Sequence, residues 1–103
     1  MFHWLMIVAV AANGEIALSK CNDKKYDVIL MDIQMPGIKG YEVTRQIRNS
    51  ANGINKHTPI IAMTANASRM EIEKCFSADM NEYVSKPFDP VNLFQKISKV
   101  LSK

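Results

Sequence analysis

Four apolar runs alternate along the chain with stretches whose apolar positions follow helical spacing. The runs are Trp4–Val10, Val28–Met31, Ile60–Met63 and a short one centred on Tyr83 and Val84. An apolar run without polar interruptions is typical of a strand that is buried on both faces of a parallel sheet. The pattern therefore predicts four strands, each followed by a helix.

The helices are marked by capping residues and by apolar positions three and four residues apart. We predict helices over 15–21, over 41–48, from a capping box at Ser68 and Glu71 to about 78, and from the pair Asp89-Pro90 to about 101. Asn13 is a candidate N-cap of the first helix. Strands that alternate with helices predict one α/β domain over 1–103, with a parallel sheet and right-handed crossovers.

The composition argues against several classes of protein. The net charge of +3 is modest and the cationic residues are scattered, so the chain lacks the basic patch that binds nucleic acid. The apolar opening is shorter than the roughly 20 residues of a membrane span, and no Lys or Arg precedes it as in a signal peptide. Cys21 and Cys75 fit no metal-binding spacing, and we predict two reduced thiols in a cytoplasmic protein.

Three of the predicted strands end in a residue that could take part in chemistry. These residues are Asp32, Thr64 and Lys86. We expect them to lie close together, because parallel strands share one carboxyl edge and open α/β sheets bind ligands there. A carboxylate, a hydroxyl and an ammonium suit phosphoryl transfer: Asp32 would attack phosphorus, and the other two would stabilise the phosphoryl oxygens.

Each of the three residues also has a simpler interpretation. An Asp after a strand often caps a loop, a Thr at such a position often bonds a local turn, and a Lys is usually a solvated charge. What favours a shared site is their order, since each one closes a successive strand.

The motifs around these residues resemble those of the receiver domains of two-component response regulators and hybrid sensor kinases. The second predicted strand is followed by Asp32, Met35-Pro36 and Gly40. The third is followed by Thr64-Ala65, and the fourth by Lys86-Pro87. The resemblance covers roughly Val8 to Leu101.

This resemblance implies both a fold and a set of residue roles. The fold would be flavodoxin-like, with about four strands and four helices. Asp32 would be the phosphoacceptor, Thr64, Ala65 and Lys86 would contact the phosphoryl group, Tyr83 would be an aromatic switch residue, and the bond before Pro87 would be cis. The chain would be a non-enzymatic phosphorelay module that receives its phosphoryl group from a histidine kinase or a phosphotransfer protein. Phosphorylation would change the surface formed by Met70–Ala78, Glu82–Ser85 and Val91–Leu101.

The chain departs from the family pattern at its front. Only 31 residues precede Asp32, which is room for one βαβ unit, so the family's first strand and helix are expected to be absent. The acidic pair that holds Mg²⁺ would be absent with them, leaving Asp32 and the backbone carbonyl of Gln34 as weak ligands. We expect that Trp4–Val10 moves into the central slot of the sheet, or that a second chain completes it by dimerisation or domain swapping.

Two other functions are weighed against phospho-acceptance. The chain could be a receiver fragment that no longer takes phosphate and acts as a binding or dimerisation module. A haloacid-dehalogenase-like phosphatase also uses Asp, Thr and Lys at strand ends, but that family needs a second Asp where Gln34 stands.

Overall fold

The alternation of strands and helices predicted from the sequence is confirmed. The computed structural model describes residues 8–9, 13–33, 40–50, 53–65, 67–87 and 89–102. The elements are β1 (Val8–Ala9), α1 (Gly14–Asp23), β2 (Val28–Asp32), α2 (Gly40–Asn49), β3 (Ile60–Thr64), α3 (Arg69–Ser77), β4 (Glu82–Ser85) and α4 (Pro90–Leu101). The strands β2 and β3 run one residue further than predicted, because Asp32 and Thr64 still pair with the neighbouring strand.

The four strands form one parallel sheet in the order β1-β2-β3-β4. Val8 lies opposite Val28 and Ile29 lies opposite Ile60, so every strand pairs with its neighbour in sequence. The described part of the Trp4–Val10 run therefore lies directly beside β2. The pairing with β2 is that of the first arrangement expected from the sequence, but β1 lies at an edge of the described four-stranded sheet rather than in a central slot.

The two faces of the sheet are covered unequally. One face packs against α1, α2 and α3, and its central residues Ile29, Met31 and Ile60 are at most 2% exposed. The other face packs against Ile97 and Val100 of α4, and two residues of its central strands, Leu30 and Met63, are only partly buried.

The predicted caps begin three of the helices. The side chain of Asn13 accepts a hydrogen bond from the Ile16 N–H, and Asp89 accepts one from the Val91 N–H just before α4. The Ser68 hydroxyl accepts a hydrogen bond from the Glu71 N–H, which forms the first half of the predicted capping box. These bonds satisfy N–H groups that have no partner within the helix.

A polar cluster that the sequence did not reveal braces the amino-terminal ends of the strands. Asn55 is 1% exposed; its amide nitrogen donates to the carbonyls of Cys21 and Lys24, and its oxygen accepts from the Tyr26 N–H and the Thr58 hydroxyl. Arg48 at the end of α2 donates to backbone carbonyls of the same region and to Asn81. The two side chains thus supply hydrogen-bonding partners for backbone groups that lie between the helices and strands.

Candidate functional site

The carboxyl ends of β2, β3 and β4 lie side by side and carry the three residues predicted to act together. Asp32 is paired with Met63 and Thr64 with Ser85, so the three strand ends are level to within a residue. The backbone N–H of Lys86 donates to the Thr64 carbonyl at 2.7 Å, which fixes the start of the Lys86 side chain beside β3.

The charged groups of Asp32 and Lys86 are in direct contact. Lys86 Nζ lies 2.5 Å from Asp32 Oδ2. The side chains are 26% exposed for Asp32 and 35% exposed for Lys86, so solvent can reach the pair. Thr64 is 1% exposed and closes β3 between them. The arrangement offers a reachable nucleophilic carboxylate with a cation already held beside it.

Gly40 explains how α2 can begin against the strand end that carries Asp32. A Cβ atom at this position would lie 2.8 Å from the Ile33 Cα and 2.9 Å from the Asp32 carbonyl oxygen, closer than real contacts allow. The hydroxyl of Thr44 donates to the Gly40 carbonyl at 2.8 Å and holds the first turn of the helix. Only glycine allows the helix backbone to approach the site this closely.

Several other predicted site residues also lie near the carboxyl edge. Ala65 follows β3 and is exposed, and the Lys86–Pro87 peptide bond is cis. Tyr83 is half-buried against the core cluster beneath α1, α2 and α3. The Nζ atom of Lys96 lies 5.2 Å from the centroid of the Tyr83 ring, in range for a cation–π interaction.

Glu82 is a buried carboxylate that the sequence did not single out. It receives hydrogen bonds from Lys99 at 3.0 Å and from Lys96 at 3.2 Å, so it fastens α4 to β4. Burial by itself would raise the pKa of Glu82, but the hydrogen bonds from Lys99, the Tyr83 N–H and Lys96 outweigh it and lower the pKa. No local sequence pattern marks Glu82 as the partner of two lysines that lie on a helix 14 and 17 residues further along the chain.

Of the two predicted metal ligands, Asp32 is the one that lies within the described residues. Among the described residues, no three His, Cys, Asp or Glu side chains lie together as a metal site. The second predicted ligand, the backbone carbonyl of Gln34, lies outside the described residues, as does the Met35-Pro36 motif. A single carboxylate still fits Mg²⁺, which keeps several waters and is held by one or two carboxylates with phosphate oxygens.

Comparisons with known proteins agree with this fold. Residues 3–98 match the family model of the response regulator receiver domain. The chain is 38% identical over 101 residues to hybrid signal transduction histidine kinase I of Dictyostelium discoideum, covering 93% of this chain and 6% of that protein. It is 38% identical over 93 residues to the transcriptional regulatory protein ResD of Bacillus subtilis, covering 90% of this chain and 37% of that protein. The chain thus spans a small part of these relatives.

Solved structures of similar chains show the same architecture. The receiver domain of the sensor histidine kinase PA1611 from Pseudomonas aeruginosa superposes with a TM-score of 0.80 at 38% identity, over 92% of this chain and 76% of that one. That structure has a magnesium ion coordinated in its active site cleft. The chemotaxis protein CheY4 of Vibrio cholerae superposes with a TM-score of 0.81 at 30% identity, over 90% of this chain and 76% of that one. No helix in the described part of the present chain is long and apolar enough to cross a membrane.

Proposed function

Because the chain belongs to the response regulator receiver domain family, we propose that it accepts a phosphoryl group on Asp32 in a two-component phosphorelay. The contact between Asp32 and Lys86 is the observation that carries this proposal. It supplies a carboxylate nucleophile that solvent can reach and a cation at the position where phosphoryl oxygens would gather.

The transfer needs little covalent chemistry from the protein beyond the nucleophile. An Asp32 carboxylate oxygen attacks phosphorus and the bond from phosphorus to the donor's imidazole nitrogen breaks. That nitrogen takes a proton from solvent, and the donor leaves as neutral histidine. Lys86 then exchanges its contact with the carboxylate for one with a phosphoryl oxygen. The Thr64 hydroxyl donates a hydrogen bond to another, and the small Ala65 leaves room for the group.

Magnesium fits this site as a weakly held cofactor. When bound, Mg²⁺ neutralises negative charge on the phosphoryl oxygens. The Asp32 carboxylate would hold it, with the backbone carbonyl of Gln34 as the second protein ligand. We expect weaker binding than in a site with several carboxylates, because fewer charged groups would surround the ion.

The partners and the response follow from the same assignment. A histidine kinase or a phosphotransfer protein in the cytoplasm would supply the phosphoryl group, consistent with the kinases among the relatives. Thr64 would move toward the phosphoryl group and Tyr83 would rotate inward behind it. That rotation would give up the Lys96 contact on the ring. A partner would detect the change on α3, β4 and α4.

Intact mass spectrometry after incubation with a small phosphodonor tests the proposal. We expect the mass of one phosphoryl group to be gained with Mg²⁺ present and not without it, and no gain in the Asp32→Asn variant. No gain in folded wild-type protein would refute phospho-acceptance by this chain.

A binding or dimerisation module is the second candidate, and one observation favours it. Leu30 and Met63 on the α4 side of the sheet are only partly buried, and Val91, Phe94 and Leu101 of α4 are 61%, 52% and 44% exposed. Apolar surface of this kind is typical of an association site. A second copy of the chain would cover it in a homodimer, including one formed by domain swapping. Light scattering at micromolar concentration should then show a dimer that Val91→Glu dissociates, and a monomer would exclude the homodimer.

A further inference from the structure

A hydrogen bond between Tyr41 and Glu71 links the helix beside the phosphorylation site to the helix on the proposed output surface. The Tyr41 hydroxyl donates to Glu71 Oε2. Tyr41 is the second residue of α2, directly after Gly40, and Glu71 lies in the first turn of α3. Burial, followed by the hydrogen bond to Glu71, raises the pKa of Tyr41, so the phenol keeps its proton and remains the donor.

The two helices are held in the fold to very different degrees. In α2, Gly40, Val43, Thr44 and Ile47 are buried, and Gly40 contacts the backbone of Asp32 and Ile33. In α3 only Cys75 is buried. Two large apolar residues of α3, Met70 and Phe76, are 67% and 46% exposed. Few buried apolar contacts are a mark of segments that open locally at low cost in free energy, so α3 depends strongly on each contact that remains.

The carboxylate of Glu71 has a second position available to it. Ser68 and Glu71 have the spacing of a capping box, in which the Glu side chain returns to the backbone N–H of the capping residue. The Ser68 hydroxyl already accepts from the Glu71 N–H, but in the described structure the carboxylate bonds Tyr41 rather than the Ser68 N–H. Release from Tyr41 would therefore leave the carboxylate with another partner.

We propose that Tyr41 and Glu71 form a releasable tether that holds α3 against α2, and that Glu71 closes its capping box when the tether opens. Its regulatory use rests on the proposed phosphorylation of Asp32. A backbone change at Asp32 and Ile33 presses on Gly40, moves the first turn of α2 and separates the phenol from the carboxylate. With the tether, α3 has two states, docked and released, and phosphorylation at Asp32 would shift the equilibrium between them.

The buried thiol of Cys75 reports whether α3 is docked. Cys75 on α3 and Cys21 on α1 are both free and buried, so the rate at which Cys75 is alkylated relative to Cys21 measures local opening of α3. Burial, followed by the negative charge of the nearby Glu71 carboxylate, raises the pKa of the Cys75 thiol. Because movement of the Glu71 carboxylate would also change this pKa, the two alkylation rates are measured over a range of pH, and opening of α3 is a rise in their ratio that persists at every pH.

The decisive comparison is Tyr41→Phe against wild type, with Tyr26→Phe as the control that removes another phenol from the same core cluster. We expect Tyr41→Phe to raise the ratio of Cys75 to Cys21 alkylation about fivefold, the effect of one partly exposed hydrogen bond to a charged group. The control should leave the ratio unchanged. Equal ratios in Tyr41→Phe and wild type would overturn the tether.

Phosphorylation separates this inference from the function on which its use rests. In phosphorylated wild type the alkylation ratio should rise toward that of Tyr41→Phe, and phosphorylated Tyr41→Phe should show little further rise. A wild-type ratio that does not change with measured phosphorylation would overturn the regulatory use. If no phosphoryl group is gained, the proposed function fails, while the comparison without phosphodonor still decides whether the tether holds α3.

Hydrogen exchange at the Ser68 amide tests the second position of the carboxylate. In Tyr41→Phe the freed Glu71 side chain should protect this amide and slow its exchange about threefold or more. A threefold change corresponds to part of the net free energy of one hydrogen bond. Glu71→Ala should abolish the protection. Unchanged exchange at Ser68 in Tyr41→Phe would show that the box does not close.

Discussion

Lys86 Nζ lies 2.5 Å from Asp32 Oδ2, although the two residues are 54 positions apart in the chain. The contact exists because β2 and β4 flank β3 in one parallel sheet and end at the same edge. A cation that is placed before the phosphoryl group arrives needs little reorganisation during transfer, which is the general advantage of a preorganised site.

Replacing Lys86 with Met should reduce the rate at which Asp32 is labelled by a small phosphodonor by about a hundredfold, the usual cost of losing one charge-stabilising group. The rate is read from intact mass at successive times. Lys25→Met, which changes an exposed lysine near the opposite end of β2, is the matched control and should label at the wild-type rate. Similar rates in the two variants would contradict a role for Lys86.

Gly40→Ala should destabilise the domain by about 1–3 kcal/mol, because the added methyl group meets backbone atoms that cannot move aside easily. Its Cβ would lie 2.8 Å from the Ile33 Cα. Urea denaturation measures the loss. Gln46→Ala on the exposed face of α2 should change stability by less than about 0.5 kcal/mol. A Gly40→Ala variant as stable as wild type would mean that α2 can shift away from the site at little cost.

Glu82→Gln should lower the free energy of unfolding at pH 7 by about 1–3 kcal/mol, since two hydrogen bonds from lysines lose their charged acceptor. The pKa of Glu82 is lowered in the folded protein, so its contribution is complete above the unfolded value near 4.5 and disappears as the pH falls through the lowered value. Urea denaturation of wild type and Glu82→Gln, from neutral to acid pH, should show that the difference between their free energies of unfolding becomes smaller in acid. Glu73→Gln, at an exposed carboxylate, should show no such difference at any pH.

Asn55→Ala should cost more than about 2 kcal/mol of stability, because backbone groups of Cys21, Lys24 and Tyr26 lose their hydrogen bonds to a buried amide. Thermal or urea unfolding measures this cost. Asn22→Ala on the exposed side of α1 provides the comparison and should be nearly neutral. A small effect at Asn55 would indicate that water replaces its amide without loss.

Local patterns were sufficient to predict the order and type of the elements. Uninterrupted apolar runs mark strands buried on both sides, and Asn13, Ser68 and Asp89 mark helix starts, because caps and periodicity depend only on neighbours in sequence. The receiver motifs predicted the family, and the alternation predicted that Asp32, Thr64 and Lys86 would share one edge. Their chemical roles stay predictions until labelling is measured.

The sequence by itself determined the parallel α/β architecture and the residues at its carboxyl edge, since both follow from periodicity and from the position where each strand ends. Only the tertiary structure decided that Val8 pairs with Val28, that Asn55 and Arg48 brace the opposite edge, and that Glu71 bonds Tyr41 instead of closing its own capping box. These contacts join residues distant in the chain, and each depends on which of several satisfactory partners the packing brings within hydrogen-bonding distance. A local pattern carries no information about that competition.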